Sequence, residues 1–152
     1  MQITYPKWYS LTTWETPRWR TALSRRSLSM PMRLALEHGI IKPELKLLDF
    51  GSGKNYCNDI QHLKELRIVA IGFDPYWNRQ PNFNYELGKL QPTDIVSCIY
   101  VINVIESEKE RVEVLQYCWQ LTTRSLIVIE MGGEEASSPH SRQFVQIKNL
   151  VG

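Results

Sequence analysis

Short apolar runs recur along the chain, and polar or glycine-containing segments separate them. Their content of Val, Ile, Leu and Phe is typical of strands that are buried on both faces of a parallel sheet. About five strands are predicted, at 46–50, 68–73, 94–102 and 126–130, with a short one near 85–87. A polar loop and a short apolar tail follow, and no strand is assigned to that tail.

A first helix is predicted over 30–38, where apolar residues return at helical spacing. Ser29 stands where a helix cap is expected, and Pro31 suits the first turn, where a missing N–H is tolerated. Gly39 follows as a natural stop, since glycine accepts the left-handed backbone that often ends a helix. The segment therefore carries both a start and an end signal.

Two later segments also have helical spacing. The first is 58–66, with Asn58 or Asp59 available as its cap. The second is 107–121, which is amphipathic. The side chains of this second helix that are expected to face inward are Val112, Leu115, Cys118 or Trp119, and Leu121.

Strands that alternate with helices predict an α/β fold. The expected architecture is a three-layer, Rossmann-like sheet of about five mostly parallel strands with helices on both faces. Residues 1–20 show no such periodicity, and Pro6 and Pro17 interrupt any helix there. We therefore expect an aromatic and basic N-terminal extension at 1–20 and a single α/β domain at 21–152.

Composition and length fit one soluble domain. The chain has 152 residues, of which 43% are hydrophobic and 22% charged, and it is long enough to bury a core. It contains no apolar run of the roughly 20 residues that a membrane-spanning helix needs. The N-terminus lacks the pattern of a secretory signal, so a cytoplasmic location without membrane association is expected.

The net charge of +2 is unevenly distributed. Residues 1–33 hold six Lys or Arg side chains against Glu15 alone, so this part carries +5 and the remainder −3. Tryptophans and tyrosines lie between the basic residues. Such a segment can meet phosphates and stack on nucleic-acid bases. The alternative is that its aromatic residues pack on the domain itself or on a partner protein.

Cysteine and histidine spacing predicts no metal site and no disulfide framework. The three cysteines are scattered without a CxxC pair, and no histidine has a second ligand at short spacing. Cys98 and Cys118 lie in apolar stretches and are interpreted as small buried side chains. Cys57 lies near the glycine-rich segment.

The candidate site lies where the predicted strands end. In an open parallel sheet, ligands bind beyond the carboxyl ends of the strands, at the point where strand order reverses. Asp49-Phe50-Gly51-Ser52-Gly53 follows the first strand, Asp74 ends the second, and the segment from Tyr100 to Asn103 ends the strand at 94–102. The glycines let the backbone approach a ligand, and a carboxylate at Asp74 can accept ribose hydroxyls. The alternative for Asp74-Pro75 is a simple turn.

The form of the glycine segment distinguishes between cofactors. A dinucleotide fingerprint needs a third glycine where this chain has Tyr56, and there is no Walker lysine motif. The D-x-G-x-G segment resembles instead the first motif of class I S-adenosylmethionine (SAM) methyltransferases. That family usually has one more glycine, at the position of Asn55 here, and asparagine tolerates left-handed geometry.

Flanking segments extend this resemblance over about residues 21–130. They are ALSRRSLSMPMRLAL at 22–36, LLDFGSG, GFDPYW and DIVSCIYVINVIESEKERVEVLQYCW. Together they resemble the bacterial methyltransferases that are associated with DNA phosphorothioation. The resemblance implies SAM as cofactor and a role linked to DNA modification. It implies these cofactor-binding residues: Asp49, Gly51, Ser52, Gly53, Asp74, Pro75 and Tyr76.

The same resemblance places Tyr100 and Asn103 near the methyl-transfer site, as candidate catalytic residues. Tyr100 can orient a substrate or act as an acid or base, and Asn103 can hydrogen-bond it. The alternative is that both merely end the strand and start the next helix. Neither the proline-rich motif of DNA amino-methyltransferases nor the Pro-Cys nucleophile of cytosine C5 methyltransferases is present.

Class I methyltransferase sheets usually have seven strands, and this chain ends soon after the fifth predicted one. The C-terminal strands are therefore expected to be missing, and a sheet edge left open would favour a homodimer or a protein partner. The leading hypothesis is a SAM-dependent methyltransferase or SAM-binding relative. The second is a non-catalytic methyltransferase-like module that docks on a protein or nucleic acid through its N-terminus. An NAD-type oxidoreductase is disfavoured by Tyr56.

Overall fold

A computed structural model describes residues 26–53, 59–74, 90–131 and 143–149. The predicted extension at 1–20 and the short strand near 85–87 lie outside these residues. The helices are α1 (Met30–Glu37), α2 (Asp59–Glu65) and α3 (Glu108–Leu121), with a 3-10 helix at Ile102–Val104. The strands are β1 (Lys46–Phe50), β2 (Val69–Phe73), β3 (Thr93–Ile99), β4 (Thr122–Met131) and β5 (Gln143–Asn149).

The described strands form one sheet in the order β2-β1-β3-β4-β5. The first four strands pair in parallel, and β5 pairs antiparallel with β4. Ile127 of β4 is the register partner of Ile147 in β5. The apolar tail at 144–151 thus contains most of a strand that periodicity did not predict.

Two hydrophobic clusters lie on opposite faces of the sheet. Consecutive strand residues point to opposite faces, and Leu47 and Leu48 accordingly belong to different clusters. The α3 cluster includes Leu48, Phe50, Phe73, Val96, Cys98, Val114, Tyr117, Cys118 and Leu121. The α1–α2 cluster includes Met32, Ala35, Leu47, Ile60, Leu63, Ile95, Ile99, Ile127 and Ile129. The predicted three-layer, mostly parallel α/β architecture is confirmed.

Helix α1 confirms its predicted boundaries but not the role of its cap. It ends before Gly39, whose φ of +71° is the expected left-handed stop. Ser29 occupies the N-cap position, yet its side chain makes no capping bond. Instead it bonds to Asp59, in the first turn of α2. Of the two predicted caps of α2, Asp59 is the first residue of the helix itself. The other, Asn58, lies outside the described residues.

The inward face of α3 differs from the predicted one. The prediction that Val112 faces inward is wrong, because 53% of its surface is exposed. Leu115, also predicted to face inward, is only half-buried. The buried side chains are Val114, Tyr117, Cys118 and Leu121. Almost every second residue of this helix is apolar, so the pattern gives the helix without fixing its rotation about its axis.

Two strand boundaries also differ. Strand β3 ends at Ile99, not at residue 102, because Tyr100 adopts a left-handed backbone that breaks the extended conformation. Strand β4 begins at Thr122, directly after α3, and not at residue 126 as predicted. The Thr122 hydroxyl donates to the Cys118 carbonyl at 2.6 Å and joins helix end to strand start. Among the described residues no helix has the length and apolar content needed to cross a membrane.

Candidate functional site

The candidate site lies at the carboxyl ends of β1, β2 and β3. Strand β1 has β2 on one side and β3 on the other, both parallel to it, so strand order reverses between β1 and β3. A crevice at such a reversal is where open α/β sheets bind ligands. The fold brings three predicted features to this edge: the glycine segment 51–53, Asp74 and Tyr100.

The glycine loop, residues 51–53, is fastened to the end of β2. The backbone N–H groups of Gly51 and Ser52 both donate to the Phe73 carbonyl, at 2.7 and 3.0 Å. Gly51 and Gly53 have φ angles of +79° and +78°, a region that side chains rarely adopt. The N–H of Gly53 donates to Oδ2 of Asp74 at 3.1 Å. The loop and the carboxylate that the sequence singled out therefore form one structure.

Ser52 folds over Gly72 in the neighbouring strand. A Cβ added at Gly72 would lie 2.8 Å from Ser52 Oγ and 3.1 Å from Cγ1 of Ile60 in α2. Glycine in the middle of β2 therefore makes room for the Ser52 side chain. The Ser52 hydroxyl is buried and has no hydrogen-bond partner among the described residues. A buried hydroxyl without a partner is costly, so this atom is suited to meet a ligand group.

Asp49 lies inside the sheet rather than at its rim. It is 6% exposed, and its Oδ1 accepts a hydrogen bond from the Ser97 hydroxyl at 2.8 Å. The two residues are register partners in β1 and β3, so both side chains point to the same face. The carboxylate thus holds the two strands together directly beneath the glycine loop. A contact between Asp49 and a cofactor stays a prediction.

Tyr100 follows β3 with a φ of +57°, uncommon for a bulky residue. Its N–H donates to the Ile129 carbonyl of β4 at 2.8 Å. The next residue, Val101, packs against the glycine loop, since a Cβ added at Gly51 would collide with its Cγ2. The segment after β3 therefore contacts the loop after β1.

Other predicted site residues are placed only in part. Asn103 lies in the 3-10 helix after Tyr100, but its side chain is outside the described part of the structure. Pro75 and Tyr76, predicted to bind cofactor, lie outside the described residues, as do 54–58 of the glycine-rich segment. Their roles stay predictions.

Sequence reasoning missed three residues that build this site. Ser97 is a polar residue inside an otherwise apolar strand, and Gly72 is a glycine inside another, and both patterns are recognisable signals of a buried bond or a close approach. Val101 gives no signal, because its contact with Gly51 depends on the turn at Tyr100. Ser97 bonds to Asp49 in the strand that leads into the loop, while Gly72 and Val101 lie against the loop itself.

The cysteines that the structure describes support a packing role. Cys98 and Cys118 are both free and fully buried, as predicted. Burial raises the pKa of the Cys118 thiol well above its usual range, and a hydrogen bond with Cys98 raises it further. A raised pKa keeps the thiol protonated and unreactive. The described residues hold no group of three or more His, Cys, Asp or Glu side chains that could bind a metal ion.

Comparison with known proteins gives a distant similarity of backbone. No protein-family model matches the sequence, and no curated protein does either. One similar solved structure is the magnesium protoporphyrin IX methyltransferase of Synechocystis PCC 6803, crystallised with bound SAM. The two are 17% identical with a TM-score of 0.48, over 78% of this chain and 70% of that one. At this distance ligand and reaction must be argued from the site itself.

Proposed function

We propose that this chain binds SAM between the glycine loop and Asp74, and that it is a SAM-dependent methyltransferase. The observation that carries the proposal is the hydrogen bond from Gly53 N–H to Asp74 Oδ2, at 3.1 Å. It joins a left-handed glycine loop after the first strand to a carboxylate after the second. This pair stands at the reversal of strand order, where nucleoside cofactors bind in such sheets.

The chemistry of these residues fits a nucleoside with an amino-acid tail. A carboxylate has about four lone-pair positions. Asp74 can therefore accept the Gly53 N–H and still accept hydrogen bonds from ribose hydroxyls. Gly53 has no side chain to keep the ligand away from the backbone. At Gly51 the absence of a side chain makes room for Val101. The Ser52 hydroxyl, which has no hydrogen-bond partner among the described residues, offers one further hydrogen bond from within the loop.

The protein's contribution to methyl transfer is mainly to bind, align and exclude water. When bound, SAM supplies an electrophilic methyl group. Tyr100 is half-buried at the same edge of the sheet, on the β3 side of the glycine loop. We propose that Tyr100, together with Asn103, lines the place where the methyl acceptor binds.

The acceptor that we propose to test first is DNA. The support is the resemblance that the motifs within 21–130 suggest to methyltransferases associated with DNA phosphorothioation, together with the basic, aromatic character of residues 1–33. The segment Tyr-Val-Ile-Asn-Val-Ile at 100–105 lacks the prolines of DNA amino-methyltransferases. A base amine gripped in that manner is therefore not part of the proposal.

Calorimetric titration of SAM and S-adenosylhomocysteine tests the cofactor site. Wild-type protein is expected to bind in the micromolar range. Asp74→Asn removes the charge that holds Gly53 and is expected to weaken binding by about ten- to hundredfold, the effect of losing a charge-assisted hydrogen bond. NAD should not compete.

Asp94→Asn is a matched control for this titration. Asp94 Oδ2 also accepts one backbone N–H, from Lys46 at 2.9 Å, but at the opposite end of the sheet. The affinity of the Asp94→Asn variant for SAM should equal that of the wild type. If the folded wild type binds no SAM, the proposal is wrong, and the docking module becomes the better hypothesis. If SAM binds but no methyl reaches DNA from radiolabelled SAM, DNA is not the acceptor.

A further inference from the structure

The alternation of side chains between the two faces of the sheet is interrupted at Tyr100. Along β3, side chains alternate between the two hydrophobic clusters, with Cys98 in the α3 cluster and Ile99 in the α1–α2 cluster. Regular alternation would send Tyr100 back to the α3 side. Instead Tyr100 packs against the α1–α2 cluster, and Val101 packs against the α3 cluster. One residue with a positive φ has therefore shifted the alternation by one position.

Contacts on both sides hold Tyr100 in this strained conformation. Its N–H bonds to Ile129 O at 2.8 Å, which continues the pairing of β3 with β4. Beyond it, the N–H of Val104 donates to the Val101 carbonyl at 3.2 Å and closes the 3-10 turn. Arg111 of α3 donates from Nε to the Ile105 carbonyl at 2.6 Å and fixes the end of that turn. Strain that the surroundings maintain in this way is a recognised feature of functional sites.

The shift at Tyr100 has one direct consequence at the proposed cofactor site. It directs the Val101 side chain at Gly51, so closely that no Cβ would fit there. Gly51 and the next residue, Ser52, are bonded to the end of β2, so Val101 presses the loop onto β2 from the β3 side. With a regular strand at Tyr100, Val101 would face the other way and leave this side of the loop uncovered.

We infer that Tyr100 is a positioning residue whose left-handed backbone, acting through Val101, holds the glycine loop in its cofactor-binding geometry. The inference rests on the proposed SAM site and adds to it a role for the backbone of Tyr100. It differs from the sequence-based hypothesis, in which the Tyr100 hydroxyl acts on the substrate. The two assignments predict different results for the same variants.

Tyr100→Gly and Tyr100→Ala separate backbone from side chain. Both remove the ring and the hydroxyl, but glycine adopts a positive φ freely, whereas alanine keeps the strain. For a backbone role, Tyr100→Gly should bind SAM within about threefold of the wild type, and Tyr100→Ala at least about tenfold more weakly. Equal losses in both variants would overturn the inference and assign the role to the side chain.

Amide hydrogen exchange provides a readout that needs no cofactor. The N–H groups of Gly51 and Ser52 report directly on the attachment of the loop to β2. Their exchange should accelerate by at least about tenfold in Tyr100→Ala and stay near the wild-type rate in Tyr100→Gly. If the wild type fails to bind SAM, the proposed function is wrong, but this comparison still decides whether Tyr100 positions the loop. Equal exchange in the two variants would overturn that role.

Val101→Ala tests the contact itself. It should weaken SAM binding and accelerate exchange at Gly51, because the side chain that covers the loop is shortened. Val114→Ala is the matched control, since Val114 is a buried valine of α3 in the same cluster and forms no part of the loop's attachment. If Val101→Ala changes only global stability, as the control should, the contact with Gly51 does not position the loop.

Discussion

Both carboxylate oxygens of Asp59 accept hydrogen bonds from Ser29. Oδ1 accepts the backbone N–H and Oδ2 the hydroxyl, each at 2.7 Å. The two residues are 4% and 5% exposed, so the charge of Asp59 is buried with Ser29 as a double donor. Ser29 precedes α1, and Asp59 begins α2, the helix that follows the glycine loop. The bond pair therefore joins the start of α1 to the helix that follows the glycine loop.

Ser29→Ala should destabilise the protein more than the loss of an ordinary helix cap. It removes one of the two short bonds that Ser29 donates to the buried Asp59 carboxylate, and hydrogen bonds to charged groups contribute about 1.5–3 kcal/mol. Ser107→Ala is the control, because the Ser107 hydroxyl accepts the Glu110 N–H of its own helix, at 3.3 Å and in an exposed setting. The Ser107→Ala variant should lower the free energy of unfolding by about 0.5–1 kcal/mol. Urea denaturation measures both, and equal losses would show that the Ser29 bond adds little.

The secondary structure was largely predictable because the strands are buried on both faces. Such strands appear as continuous apolar runs, and β1 was predicted to its last residue. Predictions failed where tertiary contacts decide the outcome. Strand β3 stops early because the residue after Ile99 turns left-handed, and β5 exists because β4 offers a partner edge for Gln143–Asn149.

In the candidate site, too, local sequence features were predictable and tertiary contacts were not. Gly51, Gly53 and Asp74 could be found from the sequence, because their types and spacing follow directly from strand–loop–helix order. The bonds of Ser97 to Asp49 and of Ser29 to Asp59 could not, since each joins residues 30 or more positions apart. Such pairs depend on strand register and helix placement, which local periodicity does not determine.

Gly72→Ala should destabilise the protein and disturb the glycine loop. The added Cβ would lie 2.8 Å from Oγ and 3.0 Å from Cβ of Ser52, so Ser52 or the strand must move. Overpacking of this kind costs about 1–3 kcal/mol. The free energy of unfolding from chemical denaturation measures the loss.

The double variant Gly72→Ala with Ser52→Gly isolates that contact. Removing the Ser52 side chain makes room for the new methyl group, although Ile60, at 3.1 Å, remains close. The double variant should recover at least about 1 kcal/mol relative to the sum of the two single losses. Strict additivity would mean that the two positions do not interact as the structure indicates.

Cys118 should make stability fall at alkaline pH. Burial, and then the hydrogen bond with Cys98, raises its pKa in the folded state above the unfolded value. A raised pKa means that the folded protein keeps a proton that the unfolded chain releases. The stabilisation is complete below the unfolded pKa, about 8.5 for a free thiol, and is lost as pH rises through the folded pKa.

The slope of stability against pH measures this effect. Above about pH 8.5 one such proton contributes about 1.4 kcal/mol per pH unit. Cys118→Ala should reduce the slope by that amount, whatever it does to stability at neutral pH. The native thiol should also resist alkylation, since it is fully buried. Parallel curves for the wild type and the variant would contradict the raised pKa.

Truncation should destabilise the protein much more at Val114 than at Val112, although the sequence favoured Val112 as the inward residue. Val112 is 53% exposed, whereas Val114 is 2% exposed and belongs to the α3 cluster. Val112→Ala should change the free energy of unfolding by less than about 0.5 kcal/mol, as is usual for surface positions. Val114→Ala leaves a cavity beneath α3 and should cost about 2 kcal/mol. Because both variants make the same chemical change in the same helix, helix propensity cancels and the difference measures burial alone. A larger loss at Val112 would mean that α3 is rotated toward the face that periodicity favoured.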